Sequence, residues 1–307
     1  MPGTPFGSLQ LYPSAGVIYS PFFGVFELRK SSYSFVLRSI LKGSVTVMTN
    51  IKVEDVQGIR ILTLAHEKPT NPVGKSFAAT ISNALREADA DDSVSAIVMT
   101  GGKDRCFSAG GDFNEVREVE GDEAVNDLID WCTDLYLSVL DVRKPLVAAI
   151  DHHAVGLGFQ LAMMFDWRIM STRADMFMPE LEHGIGASVG ATIFATTSGY
   201  DVSRHIVMSC RPISAEHALS LRMADEVCEP EFLVERAVQR AVRMGKYPRA
   251  GFSATKKVLT DRLRNALENT REQSKAVHRE AFRARAMHKH FNNVLGLGNT
   301  EAVGAVS

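Results

Sequence analysis

No two of the four cysteines in this 307-residue chain form a Cys-x-x-Cys pair: Cys106, Cys132, Cys210 and Cys228 are scattered. That spacing gives no disulfide framework and no zinc ribbon, and it fits reduced thiols in a cytoplasmic protein. Long apolar runs are also missing. None approaches the roughly 20 residues that a membrane-crossing helix needs, so no membrane partner is expected. Neither sign of charge prevails: 34 Lys+Arg stand against 36 Asp+Glu, for a formal charge of −2. This argues against nucleic acid as the main partner. The nine histidines include His152-His153 and the cluster His288/His290. They form no His-Glu-x-x-His or comparable ligand pattern, so no metal is assigned. Internal repeats are absent as well.

What remains is a chain that is 45% hydrophobic. It is long enough for one large α/β domain with helical additions, or for two smaller domains. Residues 1–49 differ from the rest. They are rich in Pro, Gly, Ser and aromatics and hold one acid (Glu27) against four bases (Arg29, Lys30, Arg38, Lys42). Without that one acid and those four bases the formal charge falls from −2 to −5. The segment lacks the continuous apolar core of a secretory signal, and its prolines and glycines spoil a long amphipathic helix. The expectation is a poorly ordered extension, or a start placed upstream of Met48 as the working initiator.

From there the pattern alternates. Ile59–Leu64 has the β-branched content of a strand, and Gly74–Ala88 follows with helical spacing. Ala96–Met99 is a short, fully buried strand closed by Gly101-Gly102. A long helix through Leu128, Trp131, Leu135 and Val139 ends before Pro145. Leu146–Ile150 is another buried strand. A buried helix over Phe159–Phe165 and strands at Trp167–Met170 and Met176–Met178 complete the core, the last stopped by Pro179. Strands alternating with helices imply βαβ units. After Ser214 the chain is mostly helical and ends in a charged helix from Leu263 to about His290. The expected organisation is an extension (1–49), a core (50–240), a C-terminal helical region (241–298) and a tail (299–307).

Two glycine turns stand out: Phe107-Ser108-Ala109-Gly110-Gly111-Asp112-Phe113, and Gly156-Leu157-Gly158-Phe159-Gln160 some forty residues later. Each opens a helix and so offers unpaired N–H donors where negative charge is favoured. Brought together, two such turns make an oxyanion hole, the device that stabilises an enolate formed from a thioester. Taken singly, each is equally an ordinary strand-to-helix turn.

These runs resemble the crotonase (enoyl-CoA hydratase/isomerase) superfamily. Further likeness lies in Lys144-Pro145 with Val147–Asp151, in Met178-Pro179-Glu180-Leu181 and in Ser214–Leu219, so that it spans about Val53 to Gly298. The resemblance implies a ββα superhelix, a spiral of βαβ units, with a helical C-terminal region that builds a homotrimer or hexamer. A closer likeness, in Ser108–Val116, Met178–Gly186 and Ser274–His278, is to the carboxymethylproline-forming branch of that superfamily, which serves carbapenem biosynthesis. It implies decarboxylation of malonyl-CoA, attack of the enolate on pyrroline-5-carboxylate (cyclised glutamate semialdehyde), and hydrolysis of the thioester to 5-carboxymethylproline. CoA thioester is then a substrate, and no cofactor is expected.

Carried onto this chain, Gly111 matches the first oxyanion donor and Leu157 the second, a position where many relatives have glycine. The donor is a main-chain N–H, so leucine adds an apolar wall without removing it. Glu180 stands where the family has its catalytic glutamate, beside a Met-Phe-Met-Pro run that desolvates it and raises its pKa. Gln160 replaces the second glutamate of the hydratases, and an amide neither ionises nor shuttles a proton. Decarboxylation tolerates that loss, because departure of CO₂ makes the enolate without a base. Glu180 is left to activate the water of hydrolysis, and Gln160 to hold substrate. His278 shares a helix face with Leu267, Ser274 and Phe282 and is a candidate to bind the carboxylate of pyrroline-5-carboxylate.

Lys68 and Lys103 lie in loops that can approach CoA phosphates. The basic residues Arg279, Arg283, Arg285 and Lys289 most simply form a solvated face. No role falls to His183 or to His152-His153. The alternatives are a crotonase-type decarboxylase or thioesterase with another acyl-CoA substrate, and an acyl-CoA-binding scaffold without turnover. A third is a serine hydrolase built on Gly186-Ala187-Ser188-Val189-Gly190, with Asp225 and His278. That motif needs a strand running into the serine turn, whereas Ser188 here is expected to begin a helix.

Overall fold

The computed structural model describes residues 45–48 and 50–284. Residues 1–44, the tail 299–307 and the expected helix end near His290 lie outside the described residues, as do His288, Arg285 and Lys289.

Apolar runs without alternation fix the centre of the sheet. β4 (Ala96–Thr100) and β5 (Leu146–Ile150) are buried at every position, which suits parallel strands covered on both faces. The full sheet has seven strands in the order β1-β2-β3-β4-β5-β7-β10. β1 (Val45–Met48), β2 (Ile51–Val56) and β3 (Ile59–Leu64) pair antiparallel at one edge. From β3 onward, through β7 (Trp167–Ser171) to β10 (Glu226–Cys228), the pairs are parallel. The expected boundary at residue 50 falls inside this hairpin: β1 belongs to the sheet, with Met48 opposite Ile51. Composition could not show it, because pairing with β2 is a relation between two segments.

Helices cover the sheet. α1 (Lys75–Ala90) buries Phe77, Ile81, Leu85 and Ala88, and α3 (Gly121–Asp141) buries Val125, Ile129, Leu135, Tyr136 and Val139. Between them lies the four-residue α2 (Phe113–Val116), capped by the Asp112 side chain, which accepts from Asn114 N. A second, smaller sheet joins β6 (His153–Val155), β8 (Asp175–Phe177) and β9 (Ile213–Ser214). These strands are too short to carry a period of two. α4 (Leu157–Ala162) follows β6 directly, and α5 (Ser188–Thr197) begins at Ser188 as expected. After α6 (Tyr200–Ser209), α7 (Ala215–Ser220) and α8 (Leu233–Gly245) comes α9 (Arg249–Arg283), a helix of 35 residues. It starts fourteen residues before the expected Leu263. Gly251, Ser253 and Thr255 weaken local propensity there, but Pro248 caps the start and Lys256 anchors the first turns. Among the described residues no helix is long and apolar enough to cross a membrane.

That anchor is specific. Lys256 is buried and its Nζ lies 2.7 Å from Asp166 Oδ2 and 3.1 Å from the Lys144 carbonyl. The same Asp166 oxygen accepts from Leu146 N, the first residue of β5. Further along, α9 packs on α3 and α5, burying Leu263, Leu267, Ser274, His278 and Phe282 at helical spacing. Of the four basic residues expected on a solvated face, Arg279 and Arg283 are described, and both find partners on α3. Arg271 pairs with Asp130 and Asp134 of α3, Arg279 donates to Asn126, and Arg283 pairs with Asp122. Two helices with opposite charge along their facing edges attract, a pattern invisible when each is read alone.

Removing one partner of the Lys256–Asp166 pair strands a charge in the core. Asp166→Ala is therefore expected to cost about 3 kcal/mol in urea unfolding. A loss below about 1 kcal/mol would show that the pair does not anchor the helix.

Candidate active site

Main-chain pairing brings the two glycine turns together. The segment Phe107-Ser108 runs parallel to β6 as an added rung of the small sheet. Ser108 N donates to His153 O at 3.2 Å, and Val155 N donates to Ser108 O at 2.9 Å. The turns that follow, at Gly110-Gly111 and Gly156-Leu157, are consequently neighbours. Close approach needs glycine: a Cβ at Gly158 would stand 2.4 Å from the Ser108 carbonyl oxygen. Gly156 caps α4 with φ 50° and ψ −117°, a conformation that L side chains rarely adopt. A Cβ there would also lie 2.8 Å from Glu180 Oε1.

Leu157 is the first residue of α4, so its N–H has no partner within the helix. Among the described residues no acceptor takes the N–H of Gly111 or of Leu157. Both residues line one cavity of about 120 Å³. Gln160, Glu180 and His278 line it too, so all five residues singled out from the sequence share one space. Its remaining walls are largely apolar and include Phe113, Val116, Leu128, Trp131, Ile185 and Phe282.

Glu180 follows β8 after Met178-Pro179. A hydrogen-bonded turn fixes it: His183 N donates to Pro179 O at 3.0 Å and Ile185 N to Glu180 O at 2.8 Å. Oε1 accepts from Gln160 Nε2 at 3.1 Å. Oε2 is closed off from solvent and has no protein partner. Burial raises the carboxyl pKa from the usual 4.5 to about 7, against the opposing pull of hydrogen bonds from its own backbone and from Gln160. A group with that pKa exchanges protons readily near neutrality.

Gln160 is buried and has no proton to give up. Its Oε1 accepts from the Tyr136 hydroxyl at 3.1 Å, and its Nε2 lies 3.6 Å from Met178 Sδ as well as near Glu180. His278 is also buried. Its Nδ1 lies 2.7 Å from the Ser274 carbonyl, which only accepts, so Nδ1 carries the proton. Burial pushes the imidazole pKa below its usual 6.5, leaving the ring neutral at pH 7 unless an anion arrives beside it.

Several candidates stand elsewhere. Ser188 Oγ donates to Ser274 Oγ at 2.9 Å, and the residue is not among those lining the cavity. Asp225 pairs with Arg168. Ser188, Asp225 and His278 thus take other partners and are not hydrogen-bonded to one another. His153 Nδ1 lies 2.7 Å from Asp175 Oδ1. Asp104, Asp151 and His152 have ligand atoms within 4.8 Å of one another, but Arg173 already supplies the positive charge, at 2.8 Å from Asp104 and 2.5 Å from Asp151. Lys68 Nζ stands 3.9 Å from Asp112 Oδ1, and Lys103 is exposed.

Tyr136 and Cys132 also line the cavity, and sequence reasoning missed both. Both belong to the apolar stripe of α3, and a stripe does not say which of its members meet a cavity. Burial pushes the Cys132 thiol pKa well up, so it keeps its proton and is no nucleophile toward a thioester.

The arrangement provides two main-chain donors, one carboxyl poised near neutrality and one neutral amide. It can hold a developing oxyanion and move one proton, whereas a second carboxyl for two-point acid–base work is missing. Comparison with known proteins agrees in kind. The enoyl-CoA hydratase/isomerase family model matches residues 54–293. The chain is 43% identical over 243 residues to a carboxymethylproline synthase from Pectobacterium carotovorum subsp. carotovorum, covering 79% of this chain and 97% of that protein. It is 28% identical over 222 residues to a 2,3-dehydroadipyl-CoA hydratase from Escherichia coli (strain K12), covering 72% and 86%. Among solved structures, ThnE from S. clavuligerus superposes with a TM-score of 0.64 at 27% identity, over 76% of this chain and all of that one. An enoyl-CoA hydratase/isomerase from Mycobacterium paratuberculosis shares the fold, with a TM-score of 0.72 at 24% identity over 80% and 99% of the two chains.

The buried carboxyl has a measurable cost. Folded, Glu180 stays protonated to about pH 7, while the unfolded chain ionises it near 4.5. Between those values the folded state holds the extra proton, so stability falls as pH rises. The penalty is absent below the lower value and complete above the upper one, at about 3 kcal/mol. Glu180→Gln is expected to exceed the parent by up to that amount in urea unfolding at about pH 8 and to match it near pH 4. The same difference at both pH values would show that the carboxyl is not sealed.

Proposed function

The chain belongs to the enoyl-CoA hydratase/isomerase family, and within it we propose an enzyme of the carboxymethylproline synthase type. Malonyl-CoA enters with its thioester oxygen toward the N–H groups of Gly111 and Leu157. Loss of CO₂ leaves the electron pair on the α-carbon and the negative charge on that oxygen, where the two donors stabilise it. No base is needed for this step. The nucleophilic carbon then attacks the C=N carbon of pyrroline-5-carboxylate, and the ring nitrogen takes up a proton. Water finally attacks the thioester. The same two donors hold the tetrahedral oxyanion, Glu180 takes the proton of the water and returns it to the departing sulfur, and CoA leaves as the thiol with 5-carboxymethylproline as product.

One observation carries this reading: a single carboxyl, with Oε2 sealed and unpartnered, shares its cavity with two untaken main-chain donors and a glutamine. Hydration of a double bond asks for a second acid–base group, and Gln160 does not provide one. The likeness to carboxymethylproline synthase over 79% of the chain supports the same substrates. Leu157 gives the enolate carbon an apolar wall. His278 is the candidate partner for the imine's carboxylate. Its Nδ1 proton is held by Ser274, so an arriving anion is met by the other ring nitrogen only if that nitrogen takes up a proton. A carboxylate in the cavity favours that uptake.

Mass spectrometry of products from malonyl-CoA with glutamate semialdehyde tests the proposal. Carboxymethylproline, CoA and CO₂ are expected together, and Glu180→Ala is expected to lower complete turnover by about 100-fold or more. Steady release of acetyl-CoA or free acid without the imine would replace the proposal with a decarboxylase or thioesterase of other specificity.

A further inference from the structure

We propose that Tyr136 is a positioning residue that fixes the orientation of the Gln160 amide and thereby tunes Glu180. This rests on reading Glu180 as the proton-transfer group of the site. Tyr136 lies on α3, fully buried, and among the described residues its hydroxyl makes no hydrogen bond to the glycine turns or to the Glu180 carboxyl. Among the described residues its hydroxyl has one hydrogen-bond partner, Gln160 Oε1 at 3.1 Å. On the far side of the same amide, Gln160 Nε2 donates to Glu180 Oε1 at 3.1 Å.

The chain of donors runs one way for a chemical reason. A phenol has a single proton and an amide has two unlike ends. With the amide as observed, the phenol proton reaches Oε1 and the NH₂ reaches the carboxylate, so all three groups are satisfied. Turned through 180°, the amide oxygen would face Glu180 and the phenol proton would lose its acceptor in a buried place, which is costly. That turned state suits only a protonated Glu180, whose O–H can donate to the amide oxygen. Tyr136 therefore biases the amide toward the state that favours the carboxylate, and it does so from two bonds away.

Two other titratable groups around the cavity, Cys132 and His278, are uncharged and do not supply this bias. Cys132 of α3, His183 of the Glu180 turn and His278 of α9 line the space, and no Lys or Arg is among the lining residues. Cys132 keeps its proton and His278 is held neutral by burial. Among the described residues, the hydrogen bond from Gln160 is the only side-chain interaction that pulls the Glu180 pKa down against desolvation.

The test is an infrared titration of the Glu180 carboxyl in the intact protein, its band assigned by loss in Glu180→Gln, beside the pH profile of thioester hydrolysis. Tyr136→Phe keeps the ring and removes the donor. Its Glu180 midpoint is expected to rise by about one pH unit, with kcat at neutral pH falling and KM little changed. Gln160→Met raises the midpoint as well, and adding Tyr136→Phe to it produces no further shift. Fluorotyrosine placed at position 136, a stronger donor of nearly the same size, lowers the midpoint and tests the idea even if Tyr136→Phe fails to fold. An unchanged midpoint in both position-136 variants, or an equal rise from Tyr136→Phe on the Gln160→Met background, overturns the proposal. The expected shifts in a protein that leaves CoA thioesters untouched would instead overturn the functional reading and keep the positioning role. Turnover with unmoved midpoints would do the reverse.

Discussion

The site depends on one short stretch of main-chain pairing, where Phe107-Ser108 lies against β6. Two helix-opening turns from different βαβ units are held side by side by those few hydrogen bonds. Backbone donors placed in this way need no reorganisation when charge develops opposite them. The side chains at the two donor positions are free to differ, which is why Leu157 is compatible with the site. Gly156 and Gly158 are not free in the same sense, because a Cβ at either would strike Glu180 or Ser108.

Around this fixed pair the protein arranges one carboxyl in apolar walls. Desolvation dominates its titration, and the hydrogen bond from Gln160 moderates it. Replacing the second acid of a hydratase by glutamine removes one proton-transfer group and adds a fixed donor. In the reaction we propose, the carbanion is made by departure of a neutral molecule. A single group of pKa near neutrality then suffices for the later hydrolysis.

Much of this was legible in the sequence, for physical reasons. β3, β4 and β5 are unbroken apolar runs between clear turn signals. Their limits were read to within a residue, because burial on both faces leaves no alternation to confuse. The glycine turns were visible because backbone geometry constrains residue type sharply, whereas Glu180 was picked out by the resemblance of Met178-Pro179-Glu180-Leu181 to the family's motif. What stayed hidden depends on partners distant in sequence. β1 is defined by its pairing with β2, and β6 and β9 are too short to show a period. The early start of α9 rests on Lys256 reaching Asp166, ninety residues away. The basic edge of α9 finds its acids on α3, and Tyr136 becomes a site residue only once α3 is laid against α4.

A crystal structure with acetyl-CoA bound tests the central claim most directly. The account predicts the thioester oxygen at about 3 Å from the main-chain nitrogens of both Gly111 and Leu157, with the Glu180 carboxyl facing the acyl carbon. A thioester oxygen that meets only one of those nitrogens, or a Glu180 side chain turned to bulk solvent, would contradict it.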